Sequence, residues 1–151
     1  MPAIYEHPHT VQPHEIDGMG HANNLHFLKW MQDAAVAHSS AQGWPPERYE
    51  QIGAGWVVRS HTIEYLRPAF SGDEVTVHTW VADFRKIRSL RRYRTVRFSD
   101  NTVLAVSATD WTFVGRRQGT PRRVPRELIE AFELVPDEQD TPQRHTRPRV
   151  G

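Results

Sequence analysis

Two periodicities divide the chain. Between residues 23 and 43 the apolar side chains recur with helical spacing. Leu28, Met31, Ala35 and His38 fall at i, i+3, i+7 and i+10 and so share one face. Leu25, Phe27, Trp30 and Ala34 widen that face around the axis, which predicts a central helix rather than one lying on the surface. Asn23 or Asn24 is placed to cap its start and Gly43 to stop it. Residues 44–55, WPPERYEQIGAG, carry turn punctuation and read as a loop with at most a short helical turn.

After that loop the period changes. WVVRSHTIEYL, EVTVHTWVADF, SLRRYRTVRFS and TVLAVSATDWTFV are rich in Val, Thr, Ile and aromatics and read as four strands. PAFSGD, RKIR and SDN separate them, with SGD and SDN as tight turns. An extended segment at residues 4–13, limited by Pro8 and Pro13, precedes the helix, and PRRVPRELIEAFEL at 121–134 predicts a short helix with Pro125 near its first turn. One strand, one long apolar helix and four strands make an α+β fold. The four strands are expected to form a meander that the first strand extends and the helix covers. A sheet of this kind has an edge to hide, so pairing with another copy is expected. Residues 1–134 read as a single domain, and the polar, Pro-rich residues 135–151 as a disordered tail.

Composition narrows the function. A length of 151 residues suits one domain with a real core, and a formal net charge of +1 argues against a dedicated nucleic-acid binder. Without a Cys there is no disulfide, thiolate nucleophile or Cys-ligated zinc. No apolar run approaches the ~20 residues of a membrane span, and MPAIYEHPHT lacks a signal pattern, so the expected location is the cytoplasm.

The densest chemistry lies at residues 14–24, HEIDGMGHANN, between the first strand and the helix. Asp17 precedes a helix start whose unpaired N–H groups can polarise a carbonyl, and a carboxylate beside it can attack that carbonyl or activate a water. Gly18 and Gly20 would let the backbone pass close to a ligand. The same residues are also ordinary turn formers, and that plainer reading stays open for Asp17, His21 and Asn24. No metal is implied: His7 and His9 lack a third ligand, and His21 and His26 do not stack on one helix face. A second cluster, RKIRSLRRYRTVR at 85–97, puts Arg85, Lys86 and Arg88 at a strand junction where they could grip phosphates. Arg92, Arg94 and Arg97 read instead as a solvated strand face.

These segments together resemble the hotdog-fold thioesterases of the 4-hydroxybenzoyl-CoA thioesterase type. That family carries a motif close to D-x-D-x-x-G-x-V-x-N/H ahead of its central helix, and EIDGMGHANNLHFLKW fills it here, with Glu15 in place of the first Asp. IEYLRPAFSGDEVTVHTWV and TVLAVSATDWTFVGRRQGTPRRVP resemble later family strands, so the likeness spans roughly residues 8–134. It implies a long helix wrapped by a five- to six-stranded antiparallel sheet and hydrolysis of an acyl-CoA thioester without a cofactor. It implies a homodimer or homotetramer with active sites between subunits. Asp17 falls on the family's nucleophile or general base, and the N–H of Asn24 on the carbonyl-polarising helix start. Gly20, His21 and Asn23 fall on the substrate-binding turn, and Arg85, Lys86 and Arg88 near the loop that contacts CoA phosphates in some members. Pro13 and Asn24 stand where some bacterial members carry Tyr and His, so an auxiliary role for those side chains is missing. HANN is instead similar to the HVNN of acyl carrier protein thioesterases. An acyl carrier protein substrate, or a non-catalytic acyl-CoA-binding module, are the alternatives.

Overall fold

The computed structural model describes residues 3–137. Its strands are β1 (Tyr5–Thr10), β2 (Ala54–Tyr65), β3 (Glu74–Phe84), β4 (Arg88–Arg97) and β5 (Thr102–Gly115). Its helices are α1 (Asn24–Ala41), α2 (Pro46–Ile52) and α3 (Arg126–Glu130). The long helix, the strands and the α+β class fall where the two periodicities put them. Asn23 is the α1 cap, its side chain accepting from the Leu25 N–H at 2.9 Å, and Gly43 follows the last turn with φ 92°. The 44–55 segment holds more helix than its punctuation indicates. Proline starts α2 and Gly53, left-handed at φ 68°, ends it.

The strands form one antiparallel sheet in the order β1-β3-β4-β5-β2. This corrects the expected four-strand meander. β3, β4 and β5 do form one, but β2 pairs with β5, and β1 takes the place beside β3. The connection from β2 to β3 is eight residues, 66–73, where a hairpin needs two to five. Extended, it reaches about 26 Å, against about 14 Å for three strand spacings. It crosses the end of the sheet, taking backbone bonds from Leu66 and Arg67 to the Leu104 carbonyl at one side and joining Val11 through Asp73 and Gly72 at the other.

Alternation decides which side chains face the helix. Val75, Val77, Thr79 and Val81 of β3, and Ser89, Arg91, Tyr93 and Thr95 of β4, are all buried. Phe27, Trp30, Met31 and Ala34 of α1 pack on Val75, Val77, Tyr93 and Leu104. A second apolar cluster gathers Trp44, Tyr49, Val81, Phe113, Leu128 and Phe132 beyond the C-terminal half of α1. Leu25 departs from its expected place: it is 70% exposed on the first turn of α1, outside this packing. Beyond residue 134 the Val135 N–H bonds to the Val81 carbonyl and Asp137 pairs with Arg92, so residues 135–137 lie along the sheet. The rest of the expected tail lies outside the described residues.

Candidate active site

The turn into α1 carries two acids with opposite surroundings. Glu15 is 5% exposed. Its carboxylate accepts from the Gln12 N–H at 2.8 Å, from His9 Nε2 at 2.9 Å and from Trp30 Nε1 at 3.0 Å. Burial pushes its pKa up, but these hydrogen bonds and the charge of a protonated His9 outweigh burial and hold the carboxyl down at about 2. The group is saturated: it ties β1, the turn and α1 together and has little left to offer a ligand.

Asp17, two residues on, is exposed. One oxygen, Oδ1, accepts from the Met19 N–H at 2.9 Å and the His21 N–H at 3.2 Å, while the Asp17 N–H bonds to the His21 carbonyl at 2.8 Å. The second oxygen makes no hydrogen bond among the described residues. Gly20 closes this loop with φ 84°, a conformation that disfavours a side chain. Gly18 has no such φ, so of the two glycines only Gly20 takes a conformation that disfavours a side chain. The loop is anchored outside itself by the Ala22 N–H to the Ala69 carbonyl and the Asn23 N–H to the Glu15 carbonyl, both 2.8 Å. Turn chemistry and an available carboxylate therefore coexist in Asp17, because one oxygen makes the turn and the other is left over.

At the helix start the Leu25 and His26 N–H groups are satisfied by Asn23, at 2.9 Å each. The N–H of Asn24, one residue earlier, has no partner among the described residues, and Asn24 is an exposed residue. His21 is half-buried, edge-on to Phe70 with ring centroids 5.4 Å apart. Asp17, Gly20, His21, Asn23 and Asn24 thus share one loop and one helix start.

Arg85, Lys86 and Arg88 do not join them. They lie at the β3–β4 hairpin, past Phe84 at the far end of β3, while the Asp17 turn sits by its first residues through Val11 and Asp73. The 11-residue β3, roughly 34 Å along its length, runs between the two within one chain. Arg85 and Lys86 are exposed, Arg85 pairing with Asp83 at 3.3 Å. Arg88 shares Asp110 with Arg59, at 3.3 and 3.2 Å, so two guanidiniums meet one carboxylate beside β2. Arg59 was not singled out in the sequence, since only strand pairing brings β2 near β4. Of the three arginines read as a solvated face, Arg94 is exposed over Trp80. Arg92 instead grips Asp137 through two bonds, and Arg97 bonds Asp73 and Asp100. No group of three or more His, Asp or Glu gathers in metal-binding geometry among the described residues, and no described helix is long and apolar enough to cross a membrane.

A single long helix packed on a five-stranded antiparallel sheet, entered through an acid-bearing turn, defines a hotdog-fold protein. The model of the thioesterase-like superfamily matches residues 11–132, and the chain belongs to that superfamily. Bacillus subtilis YneP, provisionally named an acyl-CoA thioesterase, is 28% identical over 79 residues, 52% of this chain and 57% of that protein. The match thus spans little more than half the length of that curated relative. A 1,4-dihydroxy-2-naphthoyl-CoA thioesterase from Synechocystis superposes with a TM-score of 0.79 at 17% identity, over 85% of this chain and 94% of that one. A Staphylococcus aureus protein solved in complex with CoA gives 0.80 at 14% identity, over 96% of each chain. At such identities the two structures establish the shared fold.

Proposed function

We propose that this chain is a thioesterase that hydrolyses an acyl-CoA to the free acid and CoA. The observation that carries the reading is the Asp17 carboxylate, exposed and half-unused at the start of the central helix in a member of the thioesterase-like superfamily. Of the two acids in the turn it alone has an oxygen to spare. The thioester carbonyl would rest against the Asn24 N–H, where the helix terminus stabilises the developing oxyanion. Asp17 either attacks the carbonyl carbon, expelling the CoA thiolate and leaving a mixed anhydride for water to open, or takes the proton of a water that attacks instead. Both routes consume one water and release one acid and one thiol. Gly20, His21 and Asn23 would border the substrate.

Incubation with a panel of short, long and aromatic acyl-CoAs should release free thiol from at least one. Binding and a thermal shift with no thiol release would instead support a non-catalytic acyl-CoA module. Release from an acylated carrier protein but not from the same acyl group on CoA would replace CoA as the substrate.

The separation between Asp17 and the cations leads to a second part of the proposal: the working site needs two copies. β1 is a short edge strand with Pro8 in it, blunted against pairing. β2 is a 12-residue edge with exposed Val57 and Val58. Its Tyr65 end touches the helix start, where Tyr65 Oη donates to the Asn24 carbonyl at 3.3 Å; its Ala54 end lies near Arg88, both Val57 and Arg88 pairing with Thr112. Antiparallel pairing of β2 with a second β2 therefore carries one copy's Asp17 turn towards the other's Arg59, Arg85, Lys86 and Arg88. Those cations then serve the phosphates of CoA bound at the neighbouring turn. The double variant V57D/V58D should be monomeric by light scattering, retain its circular dichroism and lose turnover. A fully active monomer would refute the shared site.

A further inference from the structure

Arg91 is the cation the sequence pattern left without a role. Alternation on β4 puts it on the inner face with Ser89, Tyr93 and Thr95, and it is 6% exposed. Nη1 donates to His38 Nδ1 at 2.9 Å and to Thr79 Oγ1 at 3.0 Å. The Nε and Nη2 groups make no hydrogen bond to a described residue. No carboxylate lies within ion-pair distance among the described residues, whereas Arg92 has one and Arg97 has two. His38 supplies no counter-charge either. Burial, then the guanidinium itself, pushes it down to about 3, so its ring is neutral, with Nδ1 as the acceptor. A guanidinium does not escape by losing its proton. Arg91 is thus a buried cation surrounded by neutral partners, an arrangement that is costly unless an anion completes it.

That cation lines a cavity of about 570 Å³. The walls are aromatic, with Trp44, Trp56, Phe84, Trp111 and Phe132, and exposed Gln32 and Val57 sit at the border between α1 and β2. Tyr49 and Ser89 also border it, but their hydroxyls are occupied, Tyr49 by Ser39 and Trp56, Ser89 by the Asp83 carbonyl. The chamber therefore offers mostly apolar surface, with unused hydrogen-bond donors on buried Arg91 inside it and on exposed Gln32 and Arg116 at its border. A ligand that matches has an apolar body and a single planar anionic end, which the fork of a guanidinium holds with paired bonds.

We infer that this cavity, bordered by Gly55, Trp56 and Val57 at the end of β2 that pairing with a second copy would bring to that copy's Asp17 turn, is the acyl chamber for the neighbouring turn, and that it selects acyl groups carrying a second, free carboxylate, received by Arg91. The inference rests on the thioesterase reading for the word acyl, but the anion site stands on the cavity alone. The CoA phosphates are not the occupant assigned here: the walls around Arg91 are aromatic, and Arg116, the exposed cation among the lining residues, lies just past the end of β5.

Trp44, Trp56 and Trp111 make the chamber its own reporter. Titration of the full chain with 4-phenylbutanoate and with the isosteric 4-phenylbutanamide should quench tryptophan fluorescence, the carboxylate binding at least about tenfold tighter. Arg91→Met should abolish the difference and Arg91→Lys keep part of it. Equal affinity of the two ligands for the unmodified protein overturns the inference, and that comparison stands even if Arg91→Met fails to fold. In turnover, 5-carboxypentanoyl-CoA should exceed hexanoyl-CoA in kcat/KM by a similar factor. Hydrolysis of both with no preference would overturn the anion site and leave the thioesterase standing. Selective carboxylate binding with no thiol release from either would do the reverse.

Discussion

Asp17→Asn should lower kcat/KM for thioester hydrolysis by about 10²–10⁴, the usual contribution of a positioned acid–base group, with little change in stability. The asymmetry follows from how Asp17 is held. Asn keeps an oxygen where Oδ1 accepts from the Met19 and His21 N–H groups, so the turn survives. What disappears is the charge on the exposed carboxylate, and an exposed change of this kind is worth within about ±0.5 kcal/mol. Asp17→Ala is the contrasting control: it removes the acceptor as well, and should cost on the order of 1 kcal/mol in addition to activity. Rates over the acyl-CoA panel with thermal melts on the same preparations check both. Undiminished turnover in Asp17→Asn would sink the assignment of the carboxylate.

The fate of Asp17 shows how far a sequence carries. Its place in the turn, the cap at Asn23 and the long helix are local features, fixed by residues within a few positions of one another, and all are legible. Whether Asp17 or Glu15 is the available acid is not local. It depends on Trp30, fifteen residues on, donating to Glu15, and on β1 presenting His9 to it. Pattern alone treats Glu15 as a minor replacement in a motif; the structure makes it the pin of the turn. The sheet order has the same character. Alternation identifies each strand but not its neighbour, and only the length of the 66–73 connection hinted that β2 need not pair with β3. Arg91 was within reach, since period two puts it in phase with Tyr93, but a run of seven cations reads first as surface. Arg59 and the distance from Arg85 to Asp17 became visible only with the pairing register.

Glu15→Gln should invert the Asp17 phenotype, losing stability and sparing chemistry. The folded carboxyl is held at about 2 against an ordinary 4.5, so its stabilising contribution is fully present above pH 4.5 and is lost as pH falls from there through 2. A difference of this size is on the order of 3 kcal/mol at neutral pH, and the group is too buried for solvent to screen much of it. Acid also acts through His38. Its folded pKa near 3 lies below the ordinary 6.5, so protonation of the unfolded chain begins to erode stability below pH 6.5, before Glu15 contributes. The unmodified protein should therefore lose stability in two overlapping stages. Subtracting the Glu15→Gln curve isolates the second, because both proteins share His38. Urea midpoints from pH 7 to pH 2.5 should show the gap between the two constant above about pH 5 and closing below it. At pH 7 the folded variant should hydrolyse thioester at a rate within a few-fold of the original, since Glu15 is spent on Gln12, His9 and Trp30 and has no oxygen left for a substrate. A pH-independent gap would mean that the carboxylate is not held as its hydrogen bonds require. Loss of turnover in a fully folded Glu15→Gln, alongside an active Asp17→Asn, would exchange the roles of the two acids.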